Sequence, residues 1–464
     1  MLFVRHATTA LRHGDAEFLT DLRPMYCAGA ALRAHADPYA VEPVASCERR
    51  LAGPQEMPLP APLPPYVLEP FALLATLPFG VVGALYVTLT IAAFAFASYW
   101  MAALARVRTS VAALALFWVC FYPAVNLGQL SFFAIAAIAG AAYFLQRRGF
   151  VAAGVLAACS LVQPSLALPV LAVVAIAHAP ARRALFGGFA IAAVLCVLAG
   201  PSLSLEYLHA ELPSHAASEV FMPLQFSATW LAAQLGAPPA LALRIGSVSY
   251  LLALIFAVLA GVAFARRGRP ALGLLYAASA VTVGGTFIHL SQLAVALPAG
   301  LLLAHLARRG RTFVLVATCT LGCEWLSIWY QTVTRAVAVM LLKSATESVV
   351  LAAALRKRGL SLGRAALAAI AFVLACAGVT VGVMRFPVGP PTIALSGPAR
   401  VAPEGPLLSD RWRVFQEDTN RGRVIDRIVA AKLLPWLAAL CIVGFGAAGL
   451  FDDSLLRRED EPAP

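Results

Sequence analysis

The chain has 464 residues, of which 61% are hydrophobic and only 12% are charged. Because a soluble domain carries charge on roughly a quarter of its residues, this composition excludes an ordinary soluble protein and indicates a membrane protein. The formal net charge of +12 does not indicate a nucleic-acid partner, since the arginines lie in short loops between apolar runs, where they report membrane topology.

The N-terminal region is polar and rich in proline. Residues 1–20 contain no apolar stretch of the kind that a signal peptide requires. Residues 21–65 are polar and charged, and the proline density between 54 and 70 predicts extended, polyproline-like chain. Residues 67–79 are apolar but too short to cross a bilayer, so we expect them to form a helix at the membrane interface.

Apolar runs of about 20 residues recur after this region, and each is long enough to cross a bilayer as a helix. They predict an all-α polytopic protein that forms one integral membrane domain over 1–464, with about 11–13 membrane segments. Pro164 and Pro169 interrupt the run between 150 and 178, which predicts a broken hairpin whose half-helices leave and return on one side. The other expected spans are 80–105, 110–125, 129–146, 184–200, 241–264, 271–288, 290–307, 312–330, 334–355, 363–384 and 431–450.

Arginines and lysines occupy every second loop between these spans, and the intervening turns are nearly uncharged. By the positive-inside rule, the basic loops are cytoplasmic. The first outer segment (21–65), the second (201–240) and the C-terminal one (385–430) then share the outer face, and 452–464 is expected to be a disordered cytoplasmic tail. Because this topology puts the N-terminus outside, we expect one more spanning helix upstream of Met1.

The first outer segment carries three polar residues of interest. Asp21 directly precedes the helical pattern of residues 24–34, so its carboxylate could cap that helix or act in catalysis. Asp37 is followed by proline, a combination that initiates turns, and Tyr39 is an interfacial aromatic residue.

Further polar residues lie at predicted helix ends. Asn126 and Gln129 flank an outer turn, where their amides could cap helices or hydrogen-bond sugar hydroxyls. Gln163 stands at the break of the hairpin and could satisfy the free backbone groups of a half-helix. His289 could cap the following helix or belong to a site.

The second and C-terminal outer segments offer ionisable groups. Two histidines and a glutamate of the second segment could in principle bind a metal, but the pattern favours a solvated loop, and we predict no metal site; the ionisable residues there are Glu206, His209, Glu211, His215 and Glu219. The C-terminal segment is basic and suits lipid phosphates, either as general headgroup contact or as recognition of one lipid phosphate. Its arginines are Arg400, Arg411, Arg413, Arg421, Arg423 and Arg427.

Two of the nine cysteines differ from the rest. Most lie in apolar helices, where cysteine behaves as a small hydrophobic residue. Cys27 and Cys47 both lie in the first outer segment, and disulfides persist outside the cytoplasm. We therefore predict a disulfide between them, which would hold the turn at Asp37 near Asp21.

Taken together, these features resemble glycosyltransferase family 87, the polyprenol-phosphate-mannose-dependent mannosyltransferase-like group of the GT-C superfamily. The resemblance covers roughly residues 20–310. Two departures are that Gln163 stands where many members carry lysine, and that the family's spanning helix before the aspartate is missing. The matching motifs, in order, are Asp21 with Tyr26, Ala-Gly-Ala-Ala-Leu, Asp-Pro-Tyr, LPPYVLEPFALLATLPF, Asn-Leu-Gly-Gln and RRGFVAAGVLAACSLVQP before the broken helix.

The resemblance implies a GT-C-like fold of about a dozen helices with an extracytoplasmic catalytic pocket, in a bacterial cytoplasmic membrane. It implies transfer of a hexose, mannose in the family, from a polyprenyl-phosphate donor to a glycolipid or glycan acceptor, with membrane lipids around it and without a metal or other cofactor. Asp21 occupies the position of the family's carboxylate base. The expected substrate contacts are Arg23, Tyr26, Asp37, Tyr39, Asn126, Gln129, Gln163 and His289.

The alternative is a polytopic lipid or solute transporter or flippase. Such a protein would need ionisable residues or broken helices near the middle of the membrane, usually in two related halves. The sequence predicts helix centres nearly free of charge, a single break without a counterpart, and polar groups clustered at one face. This distribution favours the enzyme.

Overall fold

The computed structural model describes residues 18–52, 57–357, 359–388, 406–420 and 426–459. The protein is 78% helical and forms no strand within these ranges, as expected for the predicted all-α class. The helices are, in chain order, α1 (Leu22–Arg33), α2 (Val41–Ala52), α3 (Pro65–Leu74), α4 (Phe79–Ala105), α5 (Thr109–Leu127), α6 (Ser131–Gln146), α7 (Phe150–Val162), α8 (Pro164–Ala177), α9 (Ala179–Ala199), α10 (201–218), α11 (Ala228–Gln234), α12 (Pro239–Arg266), α13 (Pro270–Val281), α14 (Leu290–Leu306), α15 (Arg311–Gly322), α16 (Val333–Arg356), α17 (Leu362–Val383), α18 (Leu408–Asn420) and α19 (Arg427–Phe451).

Seven of these helices are long and apolar enough to cross a bilayer, namely α4, α5, α9, α12, α16, α17 and α19. The chain is therefore a multi-pass membrane protein. Of the shorter apolar helices, α13 and α14 lie in the interior of the bundle and are buried along almost their whole length. Their alanine and glycine content lets neighbouring helices approach closely, which is how helices pack where lipid removes the hydrophobic driving force.

The predicted hairpin between 150 and 178 consists of α7 and α8, which are separated at Gln163. Pro164 begins α8 at a position where a missing backbone N–H has no consequence. The side chain of Gln163 makes no capping hydrogen bond to the helix. Its predicted role in satisfying the broken end is therefore wrong. The side-chain amide instead donates to the hydroxyl of Ser165 at 3.5 Å, and the residue lines the cavity described below.

The prediction of nearly charge-free helix centres is wrong. The predicted span 312–330 is broken because α15 ends at Gly322, and Glu324 follows with a left-handed backbone at φ 47°. Lys343 of α16 donates to the backbone carbonyl of Glu324 at 3.0 Å and forms an ion pair with its carboxylate at 2.5 Å. This pair satisfies the broken helix end inside the bundle.

A further acidic residue lies one helical turn along α16. Glu347 is fully buried, and neither of its carboxylate oxygens has a hydrogen-bond partner among the described residues. Burying a polar group without a hydrogen-bond partner costs free energy. Neither Glu347 nor the ion pair beside it lines the two cavities described below.

The first outer segment is mostly helical. Helices α1 and α2 are joined by the Cys27–Cys47 disulfide, with the two Cα atoms 5.6 Å apart. The chain is free of regular structure between 57 and 64, as the proline density predicts, but α3 begins at Pro65. The prediction that extended chain continues to residue 70 is therefore wrong, because Pro65 occupies the first helical turn, where proline is tolerated.

We expect mass spectrometry without reduction to recover the peptides of Cys27 and Cys47 as a linked pair. The bridge closes a 20-residue separation, so the chain-entropy estimate gives a stabilisation of about 3 kcal/mol. Replacing both residues by alanine should lower the melting temperature, whereas replacing the exposed Cys159 in a membrane helix should not. Two free thiols that alkylate in the unreduced protein would contradict the prediction.

The second outer segment is not a solvated loop. It forms α10 and α11, and the side chains of Glu211, His215 and Glu219 are buried. Helix α18, the described helix of the C-terminal outer segment, packs against α10: Ser409 of α18 donates to Glu211, and Ser214 donates to Asp410 of α18 at 2.6 Å. Glu211, His215 and Glu219 are spaced four residues apart, which places them on one face of the helix, and that face is buried.

The C-terminal outer segment is described only from 406 to 420 and from 426 onward. Arg400, Arg421 and Arg423 therefore lie outside the described residues. Within α18, Arg413 pairs with Glu417 at 4.0 Å, an exposed pair of the kind that contributes little stability.

Helix α18 should dock less firmly as pH rises. Burial raises the pKa of Glu211 to about 7, and Ser409 of α18 donates to this carboxylate at 2.5 Å. Because the pKa of Glu211 is higher in the folded protein than in the unfolded chain, folding takes up a proton. The stability that Glu211 contributes is therefore present at acidic pH and is lost as pH rises through about 7. The other carboxyl groups around it are Asp37, Glu206 and Asp410.

Hydrogen exchange checks this expectation. Amides of α18 should exchange faster at pH 8 than at pH 6 after correction for the intrinsic rates, and Glu211→Gln should remove most of the difference. Equal protection of α18 at the two pH values in the wild type would contradict it.

The C-terminal tail, predicted to be cytoplasmic, is ordered as far as the structure describes it. The expected disorder over 452–464 is wrong up to Glu459, whose carboxylate accepts backbone hydrogen bonds at the start of α13. Arg269 donates to the backbone carbonyl of Leu456 at 2.7 Å. These hydrogen bonds supply the order that the polar composition alone did not predict, and residues 460–464 lie outside the described ranges.

Candidate active site

A cavity of about 440 Å³ opens at the predicted outer face, between the first and second outer segments and the hairpin break. We call it the polar cavity, because two carboxylates, two imidazoles and several amides and hydroxyls line it together with one tryptophan. These residues are Thr20, Asp21, Gln129, Ser131, Gln163, His215, Glu219, His289, Ser291, Gln292 and Trp412.

Asp21 is held at the cavity by its backbone and is not a helix cap. Its side chain makes no capping hydrogen bond to α1, and its backbone is helical rather than extended. Its N–H donates to the carbonyl of Leu127 at 2.7 Å. The next residue, Gly128, has φ 85°, and a Cβ there would lie 2.7 Å from the side chain of Leu22. Glycine therefore lets the turn press against α1, which brings Gln129 next to Asp21.

The electrostatic setting of Asp21 combines burial with nearby charges. Burial raises the pKa of the Asp21 carboxyl above its ordinary value, and a hydrogen bond from the side chain of Gln129 offsets part of that rise. The charges of His289 and Arg23 act in the same direction as this hydrogen bond, whereas Glu219 adds to the rise. The result is a carboxylate that is more basic than an exposed aspartate.

Glu219 is a second carboxylate of the same cavity. It is 3% exposed, and the side-chain amide of Gln225 donates to its Oε2. His289 Nε2 lies 3.6 Å from that oxygen, and His215 Nε2 lies 3.9 Å from the other. The Gln225 amide also contacts His289 Nε2 at 3.1 Å, and its oxygen accepts from the N–H of Ile288 at 2.5 Å. Gln225 therefore joins the carboxylate and the imidazole into one network.

His215 is neutral in this network. Burial lowers its pKa to about 4, despite the neighbouring carboxylate of Glu219. Its Nδ1 has no hydrogen-bond partner among the described residues, and its ring packs edge-on against Phe287 at 5.1 Å. A buried nitrogen without a partner is rare and costs free energy of desolvation.

The structure brings four of the predicted site residues together. Asp21, Gln129, Gln163 and His289 all line the polar cavity. They come from sequence positions up to 268 residues apart in number, and only the tertiary fold unites them. Glu219 and Gln225 were not singled out as site residues from the sequence, because an acidic residue in a polar segment has the same pattern whether it is solvated or buried.

The other five predicted contacts do not line the cavity. Tyr26 donates its hydroxyl to the carbonyl of Leu77 at 2.9 Å, which anchors α1 on the chain that enters the membrane. Arg23 is only 3% exposed on the same helix. Asn126 accepts a hydrogen bond from the N–H of Leu19 through its backbone carbonyl at 2.8 Å. These residues support the cavity wall.

Asp37 and Tyr39 likewise organise the first outer segment. The Asp37 carboxylate accepts from the N–H of Tyr39 at 2.8 Å, which closes the predicted turn. The Tyr39 hydroxyl donates to the carbonyl of Leu63 at 2.8 Å and thereby ties the turn to the extended stretch that lines the cavity. Neither side chain reaches the cavity itself.

An apolar groove of about 710 Å³ lies beside the polar cavity, between α3, α4, α7 and α9. Its walls are aliphatic and aromatic, and they include side chains such as Val151 and Ile191 that are 69% and 64% exposed. Leu130 lines both the groove and the polar cavity. The two spaces therefore adjoin at Leu130, on the side of the groove that faces the first outer segment.

The two spaces offer complementary chemistry. The polar cavity presents a carboxylate that can accept a proton and donors that can bind oxygen atoms, and the groove presents a hydrocarbon surface. Within the described ranges, no three side chains of histidine, cysteine, aspartate or glutamate are grouped to hold a metal ion. Comparison of the chain with models of known protein families, with characterised proteins and with solved structures finds no match.

Proposed function

We propose that the protein is a membrane glycosyltransferase that moves a hexose from a polyprenyl-phosphate donor to a glycolipid or glycan acceptor. The observation that carries this proposal is the junction of the apolar groove with the polar cavity at Leu130. A substrate with a long hydrocarbon chain, a charged linkage and a sugar has the same succession of apolar and polar parts. We place the reaction at the outer face of a bacterial cytoplasmic membrane.

The groove would hold the lipid of the donor. Its lining carries few polar atoms, and it runs along α9 from Ala184, near the predicted cytoplasmic end, to Leu195. A polyprenyl chain gains little free energy by moving from the bilayer into such a groove, because lipid tails are as apolar as the groove itself. The groove therefore serves orientation, holding the phosphate and the sugar at the polar cavity.

The polar cavity would hold the reacting atoms. Asp21 accepts the proton of the acceptor hydroxyl, whose oxygen then forms the new bond to the anomeric carbon of the sugar. The bond between that carbon and the phosphate oxygen breaks, and the polyprenyl phosphate leaves with the bonding electrons. His289 and the amides of Gln129 and Gln163 are placed to donate to phosphate and sugar oxygens.

Transport is the competing function, and the buried charges of α16 are the observation that favours it. Ionisable groups inside a membrane often mark an ion or substrate path. Here Lys343 donates to a free carbonyl at a broken helix end. Neither Lys343 nor Glu347 lines the groove or the polar cavity. The groups that do line the polar cavity gather at the predicted outer face, which suits chemistry on a lipid held at the interface.

Purified protein in liposomes tests the proposal. Polyprenyl phosphates carrying radiolabelled mannose, glucose or galactose should each be offered with an acceptor extract from bacterial membranes. One donor should yield a labelled product that depends on the protein and releases unlabelled polyprenyl phosphate. Movement of intact donor between leaflets without any sugar transfer would replace the transferase by a flippase, and neither transfer nor movement would overturn both.

A further inference from the structure

Lys432 is a fully buried lysine near the outer end of α19. Its Nζ donates to the backbone carbonyls of Pro223 and Gln225, at 3.2 Å and 2.6 Å. The ammonium also lies over the indole ring of Trp230, 2.8 Å from the ring centroid. Burying an ammonium group costs several kcal/mol unless such partners replace water, so these contacts determine where the chain around residue 225 can lie.

The chain that Lys432 binds is the turn that carries one wall of the polar cavity. This turn follows α10 and has no regular helix between 219 and 227. It is further fixed by a 2.8 Å hydrogen bond from the N–H of Phe226 to the carbonyl of Ile288. The turn is therefore held from α19 on one side and from the chain before α14 on the other.

Lys432 binds the backbone carbonyl of Gln225, and the side chain of Gln225 connects polar groups of the cavity. The Gln225 amide donates to Glu219 and contacts His289, and its oxygen accepts from Ile288. A shift of the Gln225 backbone would move this amide away from both groups. The imidazole and the second carboxylate would then lose their common partner.

We propose that Lys432 is a positioning residue of the polar cavity, acting through the Gln225 backbone on the placement of Glu219 and His289. The expected effect of Lys432 on the rate of catalysis rests on the proposed sugar transfer. Its expected effect on the backbone of residues 219–227 does not. Because catalytic groups must be held within about 0.5 Å of their productive positions, displacing the turn should slow the chemical step more than it weakens donor binding. The apolar groove, which binds the lipid, does not involve this turn.

The test compares Lys432→Met with Lys343→Met, since Lys343 is a second buried lysine that binds a carbonyl at a helix break away from the cavity. Lys432→Met should lower kcat per folded molecule by about 10–100-fold with little change in donor KM. It should also speed hydrogen exchange in peptides covering 219–227. Lys343→Met should leave kcat and the hydrogen exchange at 219–227 unchanged in the folded fraction. Lys432→Arg should restore part of the kcat.

Gln225→Leu serves as a second variant that keeps the lysine and its backbone partners. It should reproduce the loss of kcat without the faster exchange at 219–227, because the backbone bonds to Lys432 remain. If Lys432→Met leaves exchange and kcat at wild-type values, or if it does not fold and Gln225→Leu has wild-type kcat, the proposal is overturned. If the wild type transfers no sugar, the proposed function fails. Unchanged hydrogen exchange at 219–227 in folded Lys432→Met would separately refute the positioning role.

Discussion

Replacing Asp21 with asparagine is expected to lower sugar transfer by about 10²–10⁴-fold, the usual contribution of a general base. Asparagine keeps the size of the side chain and an oxygen that can accept from Gln129. It cannot take a proton from the acceptor hydroxyl. Because the carboxylate of Asp21 makes no capping hydrogen bond to α1, the variant should fold and reach the membrane at the wild-type level.

The pH dependence of the wild type gives an independent check of this role. A base acts in its ionised form, and burial raises the pKa of Asp21. Activity should therefore fall on acidification at a pH above that at which an exposed aspartate is protonated. Sugar transfer measured across pH, with folding checked at each value, should show this loss.

Glu219→Gln is the matched control for Asp21→Asn. Both changes remove one carboxylate from the same cavity, but Glu219 is directed toward Gln225 and His289 and supports them. Loss of the Glu219 carboxylate should lower the rate of sugar transfer less than loss of the Asp21 carboxylate. Equal rates for wild type and Asp21→Asn, with a large loss in Glu219→Gln, would transfer the role of base to Glu219. Glu206 and Glu211 are excluded as substitutes, since neither lines the cavity.

The apolar pattern of the sequence predicts the bundle well, because long helices in a membrane must be continuous and apolar. Helices such as α4 and α16 begin and end within a few residues of the expected spans. The prediction fails where a helix stops inside the bundle. Glu324 and Lys343 are read as isolated polar residues in the sequence, and only their contact shows that one satisfies the end created by the other.

The cavity is predictable on one side only. Gln129 stands at a turn between two apolar helices, so its polar character is visible as an exception to the apolar pattern, whereas Asp21 lies in a polar segment and is predicted through the family resemblance. The opposite wall comes from a polar segment, in which Glu219 and Gln225 are not exceptions to their surroundings. Whether such residues face water or the bundle depends on α18 and α19, which lie about 200 residues further along the chain.

Filling the apolar groove is expected to block long-chain donors selectively. Gly187 lines the groove on α9, and a Cβ added there would meet no atom within 4 Å. Tryptophan at this position would therefore occupy the groove without a clash of its own Cβ. Gly378→Trp on α17 is the matched control, because a Cβ there also meets nothing within 4 Å and the residue does not line the groove.

Donor length distinguishes a lipid groove from an inert crevice. Gly187 lies 12 residues before the end of α9 at Ala199, which places it about 18 Å below the outer end of that helix at 1.5 Å per residue. A donor with two or three isoprene units anchored at the polar cavity should not reach it, whereas a donor of ten or more units should. Gly187→Trp is thus expected to lower kcat/KM by about 10-fold or more for the long donor, since a displaced lipid misplaces the reacting sugar. It should leave the short donor at the wild-type rate. If Gly187→Trp has the same kcat/KM as Gly378→Trp with each donor, the lipid lies elsewhere. If Gly187→Trp loses kcat/KM by the same factor with the long and the short donor, the cause is a folding defect rather than the groove.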